Sequence, residues 1–362
     1  MPPFAIEIRD GRIWSLNKDA ARKSFSFLHF SKSKKTFLFQ NERRRVIKYA
    51  MGGEKGIGKV RVGHLSTFYH TAMLLMAGEH GGAFEWRLFA TGPDIVQAFR
   101  KGLIDIAYIG LPPAVIGIAS GVRIKCVAGG HIEGTVMSGI KGLKGYPELQ
   151  DLGEVLGQLK GLKIGVPGKG SIHDVILSDA LVRFGLSETV EVVNFRWADA
   201  ITEAVFKNQV QAAMGTPSLA VAIKRYAGGR ELYPPQLIWP GNPSYGIVAA
   251  SEFIASRPGE LEEFLMMHEE ACQALRENST QCAGTISSYA GVADEQFVLE
   301  AINMSPRYCA QLTGRYMKTT MDFVDALKRL GYIEGGKGLS LEDIFETSFI
   351  KKVHPAGDHY SL

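Results

Sequence analysis

Gly168, Lys169, Gly170 and Ser171 follow the apolar run LKIGVP and lead into the amphipathic segment IHDVILSDALVRFG. Glycines let a backbone approach a ligand closely, a serine can cap a helix or offer its hydroxyl, and the free amides of a first helical turn attract anions. The chemistry this spells is non-covalent capture of a small anion, with a tight turn and a solvated Lys169 as the plain alternative. Ser66, Thr67, Tyr69 and His70 follow the apolar run KVRVGHL in the same way, as helix caps or as ligand contacts. Gly110 and Leu111, with Pro112 and Pro113, succeed a third apolar run, and Gly215, Thr216 and Pro217 a fourth. Proline fits the first turn of a helix, so both read as strand-to-helix turns, with Thr216 the polar candidate between them. Asn242, Ser244 and Tyr245 sit in IWPGNPSY, where they can touch a ligand or a hinge.

Covalent and metal chemistry fare worse. GEKGIGKV at 53–60 approaches the GxxxxGK[ST] phosphate loop, but puts Val60 where a magnesium-contacting hydroxyl is needed and precedes its strand. HExxH, GxSxG and a dinucleotide GxGxxG are absent from the contexts they require. His64, His131 and Glu133 define no metal centre by their spacing, and His64 reads as structural. Cys126, Cys272, Cys282 and Cys309 have neither the density of a disulfide framework nor the CxxC pairing of a zinc site, and read as inert thiols. No catalytic residue, metal or cofactor is expected.

The elements that must position these residues alternate. After the strand at 59–65 come a helix at 69–77, a strand at 85–89, a helix at 93–101 and a strand at 105–109; LPPAVIGIASG opens a helix and VRIKCVAGG returns to strand. From Gly161 the order repeats, with KIGVP, EVVNF and VQAAMG as strands between helices. RVGHLSTFYHTAMLL at 61 and KIGVPGKGSIHDVIL at 163 share strand, polar loop and helix at an offset of 102, and the segments beginning at Asp94 and Ala200 do so near 106. Two similar α/β lobes follow: lobe I from 59–145 and 240–350, lobe II from 155–239, a leader at 1–58 without stable order and a tail at 351–362. Hinge crossings are expected in 139–160 and 239–245, where glycine and proline interrupt the pattern. The helical stretch 258–330 packs around lobe I.

With 46% hydrophobic and 22% charged residues, the 362-residue chain is neither collagen, coiled-coil rod nor wholly disordered. A net charge of +4 is too small to argue for nucleic acid. No run of eighteen apolar residues predicts a membrane span. The first fifty residues lack an apolar core with a small-residue cleavage site, so no standard export signal is read there.

VRVGHLSTFYHTAMLLMAGEHGG, then GPDIVQAFRKGLIDIAYIGLPPAVIGIASG and LKGLKIGVPGKGS, together resemble the nitrate, sulfonate and thiamine-precursor group of type II solute-binding proteins over roughly 59–345. The resemblance implies a bilobed receptor, two parallel-rich mixed sheets flanked by helices with two hinge crossings. Such a receptor encloses a small solute and presents it, as a monomer, to an ABC permease and its ATPase outside the cytoplasm. By position it implies ligand contacts at Ser66, Thr67, Tyr69, Gly110, Leu111, Gly168, Lys169, Gly170, Ser171, Thr216 and Tyr245. Cytoplasmic biosynthetic relatives exist in the same superfamily, including thiamine-pyrimidine synthases with a CCCFC motif that this chain lacks. The absent export signal keeps a cytoplasmic enzyme or binding protein as the alternative.

Overall fold

The computed structural model describes residues 6–9, 12–15, 58–65, 71–80, 82–291, 293–334, 338–357 and 359–360. The chain divides into two compact units, 1–57 and 58–362. In the first, β1 (Ile6–Arg9) and β2 (Arg12–Ser15) pair antiparallel; the remainder of the expected leader lies outside the described residues. All that follows concerns the second unit.

Its first half runs β3 (Arg61–Leu65), α1 (Thr71–His80), β4 (Glu85–Phe89), α2 (Gly92–Arg100), β5 (Ile106–Ile109), α3 (Leu111–Ala119) and β6 (Ile124–Ile132). The chain then passes to β7 (Val136–Gly139), α4 (Leu152–Gly157), β8 (Lys163–Pro167), α5 (Ile172–Arg183), β9 (Glu191–Phe195), α6 (Ala200–Phe206), β10 (Ala212–Gly215), α7 (Pro217–Tyr226), β11 (Arg230–Tyr233) and α8 (Pro235–Ile238). It returns through β12 (Pro243–Ala250) and closes with α9 (Ser251–Ser256), α10 (Pro258–Glu277), α11 (Ser279–Ala290), α12 (Glu295–Met304), α13 (Gly314–Arg329), α14 (Leu341–Ile344) and α15 (Ser348–Val353). Among the described residues no helix is long and apolar enough to cross a membrane.

Local chemistry accounts for the boundaries. Thr91 caps α2 by accepting from the Asp94 amide at 3.3 Å, Pro93 occupies its first turn and Arg100 its last. Asp151, Asp294 and Thr313 cap α4, α12 and α13 likewise. Strands β5 and β10 are buried at every position and β12 at all but its last. Such unbroken apolar runs, without polar alternation, belong to strands covered on both faces by helices.

The strands form two five-stranded sheets of matching design. The first has the order β4-β3-β5-β12-β6 and the second β9-β8-β10-β7-β11. In each, the three strands of the alternating unit pair parallel, and two strands pair antiparallel beside them. The first antiparallel strand is the one that crosses over: β12 arrives from the second lobe and β7 from the first. The offset read in the sequence is thus a repeat of topology, with β3 answering to β8 and β5 to β10.

The first passage between sheets occupies residues 133–135, ahead of the 139–160 tract, because Val136 is already opposite Gly215 in the second sheet. The lobe I boundary at 145 therefore falls inside the second lobe as the sheets define it. The second passage runs between Tyr233 and Pro243. The residues from 351 are no loose tail: α15 reaches Val353, and His354 and Tyr360 beyond it are buried.

Candidate functional site

In each sheet the parallel strands end at one edge, and the loops leaving that edge enter the next helices. Among the described residues these are the turns at 90–91 and 110 in the first lobe and 168–171, 196–199 and 216 in the second. The edges face each other. A Cβ on Gly168 would lie 2.7 Å from Thr91 Cγ2, and one on Gly110 would lie 3.5 Å from Ile172 Cβ and 3.4 Å from the Ser244 carbonyl oxygen. Glycine at 168 is what lets the lobes meet this closely, whereas at 110 a Cβ would make ordinary contacts. The Arg196 guanidinium also reaches Asp94 across the contact, at 3.9 Å.

Ser171 is the N-cap of α5: its hydroxyl accepts from the Asp174 amide at 3.3 Å and points to the Pro167 carbonyl at 3.4 Å. The Gly170 amide of this turn already has a carboxyl partner. Buried Asp174 accepts from the Gly170 amide at 2.8 Å, from Asn194 Nδ2 at 2.8 Å and from the Tyr332 hydroxyl at 2.5 Å. Gly170 is left-handed at φ +79°, and Lys169 points to solvent. Thr216 is also a cap, accepting from the Leu219 amide at 3.1 Å and lying 2.9 Å from the Ser218 hydroxyl. It follows the pair Gly215–Val136, which places it beside Thr135.

Thr135 meets His173 Nδ1 at 3.0 Å. Both are buried, and burial pushes the His173 imidazole down to about 3, so it is neutral near pH 7. Gly110 and Leu111 are buried at the start of α3. Tyr245 lies within β12, its ring 5.8 Å from those of Tyr108 and His131, against Gly130, where no side chain would fit. Burial raises its phenol well above the usual range, so it stays protonated; the Ala72 amide at the start of α1 acts the other way. Thr71, one residue earlier, accepts from the Tyr308 hydroxyl at 3.3 Å. Tyr245 and Tyr308 therefore converge on the N-terminus of α1. Ser66, Thr67 and Tyr69, which precede that turn, lie outside the described residues.

The two passages between lobes are bonded to one another. The Glu133 amide donates to the Asn242 carbonyl at 2.8 Å, the Gly241 amide to Glu133 Oε1 at 2.7 Å, and the Gly134 amide to the Ser244 hydroxyl at 2.5 Å. Glu133 is buried, left-handed at φ +58°, and paired with Arg307 at 2.9 Å. Asn242 and Ser244 thus belong to the hinge. An open crevice of about 350 Å³ lies on the same side, between α5, α13 and residues 238–240; its Asp179 is paired with Arg329 at 2.6 Å and Arg183 at 3.5 Å.

The sequence reading missed Thr135, Asp174, Tyr332 and Arg307. Asp174 could have been flagged as an acid in a first helical turn. Tyr332 and Arg307 stand in no motif, and only the fold brings them near. His64, read as structural, has its Nδ1 3.0 Å from the Leu65 carbonyl and its ring at an edge to Trp86.

Two mixed sheets of the same order, joined by two passages and facing through their parallel-strand ends, define the type II periplasmic-binding-protein fold. The alkanesulfonate-binding protein SsuA of Xanthomonas axonopodis pv. citri, bound to MOPS, has this fold, with a TM-score of 0.65 at 18% identity over 77% of this chain and 96% of that one. So does the nitrate-binding protein NrtA of Synechocystis PCC 6803, at 0.66 and 13% over 82% and 88%. At such identities the likeness is one of fold. Residues 59–287 match the NMT1-like family, and the chain belongs to it. A protein of Brucella abortus (strain 2308), named only as a candidate binding protein, is 27% identical over 254 residues, 67% of this chain and 75% of that protein.

Proposed function

We propose that the protein is a solute-binding receptor that captures a small polar or anionic ligand between its lobes and presents it to an ABC permease with its ATPase, outside the cytoplasm. The observation that carries this reading is the pair of facing strand-end edges joined by a bonded double hinge. Family membership supports it, as do the sulfonate- and nitrate-binding proteins that share the fold. Ligand chemistry follows from what the edges offer: hydroxyls, backbone amides and neutral imidazoles, a set suited to reversible hydrogen bonding. Asp174 already holds the Gly170 amide, which favours the N-terminus of α1 for the anionic end of the ligand, with Tyr245 and the preceding Ser66, Thr67 and Tyr69. Gly110, Leu111, Gly168–Ser171 and Thr216 close over its other end.

Native mass spectrometry of the purified protein, before and after mild denaturation, identifies a retained solute. Calorimetric titration with nitrate, small alkanesulfonates, carboxylates and nitrogen heterocycles then gives the affinity. Tyr245→Phe should weaken the preferred ligand by roughly tenfold to a hundredfold, the loss expected for a hydrogen bond to a charged group, with the thermal transition little changed. Failure of the wild type to bind any of these classes, with no retained solute, would overturn the receptor reading.

A further inference from the structure

Away from the facing edges, the C-terminal residues fold back onto the segment between α12 and α13. Gln311 Nε2 donates to the carbonyls of His354 and Ala356 at 2.7 and 3.2 Å, and the Tyr360 hydroxyl donates to those of Cys309 and Gln311 at 2.5 and 3.1 Å. This brings three metal-ligating atoms together. Cys309 Sγ lies 3.6 Å from His354 Nε2 and 3.9 Å from His359 Nδ1, and the two nitrogens are 3.2 Å apart.

Those separations can be compared with a tetrahedral zinc ion, whose bonds of about 2.3 Å to sulfur and about 2.05 Å to nitrogen place S and N roughly 3.6 Å apart and N and N roughly 3.3 Å apart. The Cys309–His354 and His354–His359 edges have the lengths that a shared cation sets, and the Cys309–His359 edge, at 3.9 Å, needs only a small movement of the tail to match. The surroundings agree. The Gln311 amide donates to the Cys309 sulfur at 3.4 Å, a contact that fixes the sulfur's position beside the two imidazoles. Glu269 Oε1 lies 3.4 Å from His354 Nε2. That carboxylate is fixed by Arg276 at 2.8 Å and by the Ala310 amide at 2.9 Å, so it faces the site without leaving its own partners.

We propose that Cys309, His354 and His359 form a zinc(II) site that staples residues 354–360 to the first lobe. One thiolate and two neutral imidazoles are borderline-soft donors that suit zinc over calcium or magnesium. Binding replaces the thiol proton, which leaves to solvent, and water takes the fourth position. The cation also acts on the ligand site at one remove. The Cys309 amide donates to the Gly130 carbonyl at 3.1 Å and the Gly129 amide to the Ala310 carbonyl at 2.7 Å, and Gly130 is the surface on which the Tyr245 ring lies.

The test uses untagged, chelator-stripped full chain, titrated with zinc against a chromophoric chelator and separately with cobalt(II). One equivalent of zinc should bind, with cobalt giving the thiolate charge-transfer band and the strong visible bands of a tetrahedral site. Cys309→Ser should abolish the charge-transfer band, and His359→Ala should weaken zinc by about a hundredfold or more. Circular dichroism controls for folding; if Cys309→Ser does not fold, His359→Ala, whose ring is half-exposed on the tail, decides. Wild type that takes up no stoichiometric zinc, or variants that bind it unchanged, would overturn the site without touching the receptor reading.

Discussion

Glu133 bonds the two passages of the hinge to each other through both its backbone and its side chain. Its left-handed backbone costs about 1–2 kcal/mol in a residue with a Cβ, and it persists because the side chain holds both the Gly241 amide and Arg307. Replacing it with alanine keeps the strain and strands a cation and an amide. Glu133→Ala should therefore cost about 3 kcal/mol, the scale for breaking a buried pair, and Glu133→Gly about 1 kcal/mol less, since glycine relieves the backbone. Urea unfolding measures both. Equal midpoints for the wild type and the two variants would show that neither strain nor ion pair matters here. The sequence raised Glu133 only as a metal candidate and not for the hinge: its partners lie 108 and 174 positions away, as the numbers 241 and 307 make plain.

Between elements, α5 is held to the first lobe by two contacts that cross the interface: Asp174 to Tyr332 and Asp179 to Arg329. The two carboxylates stand more than one turn apart on α5, and both donors come from the end of α13 or just after it. In this state the two contacts tie the lobes together. Tyr332→Phe with Arg329→Ala should enlarge the radius of gyration of the ligand-free protein in small-angle scattering and weaken ligand by roughly thirtyfold, since each of the two bonds contributes about 1 kcal/mol. A radius and an affinity both unchanged would show that these contacts do not hold the lobes together. The elements themselves were largely legible. The strand at 85–89 and the helix at 93–101 lie within a residue of β4 and α2, because Glu85–Phe89 alternates and Thr91, Pro93 and Asp94 mark a helix start. The antiparallel strands β7 and β11 were not. VMSG and RELY are four residues each, too short to show a period, and their place in the second sheet depends on a crossing that only the whole sheet defines. The same limit applied to the site. Caps such as Ser171 and Thr216 are local and readable, whereas the Asp174 carboxylate's role depends on Tyr332 from another lobe. Cys309, His354 and His359 are separated by 45 and 50 residues, a spacing no zinc pattern contains.

At the scale of the molecule, imidazoles whose protonation is opposed by burial tie folding to pH. His131 and His268 in the first lobe are pushed down to about 4, chiefly by burial against the opposing pull of the Ser305 and Gly129 carbonyls, and His173 in the second to about 3 by burial alone. In the unfolded chain each titrates near 6.5. Between these values the unfolded state binds more protons than the folded one, so stability rises with pH across that window. The contribution is complete above about 6.5 and is lost as pH falls toward 4. The Asp105 carboxylate, held low by the Arg61 guanidinium against the cost of its burial, loses its contribution only further down, below the ordinary carboxylate value of 3.8. Calorimetric melts from pH 8 to pH 4 should thus show a flat thermal midpoint down to about 6.5 and a steep fall below it. His268 offers the cleanest control, because its Nε2 lies 3.0 Å from the Gly129 carbonyl and an amide side chain can supply that donor without taking a proton. His268→Gln should lower the midpoint at pH 8 and make the fall below 6.5 shallower. A midpoint independent of pH down to 4.5 in the wild type would mean that the imidazoles are charged in the folded state or reach solvent, and would contradict their neutral burial.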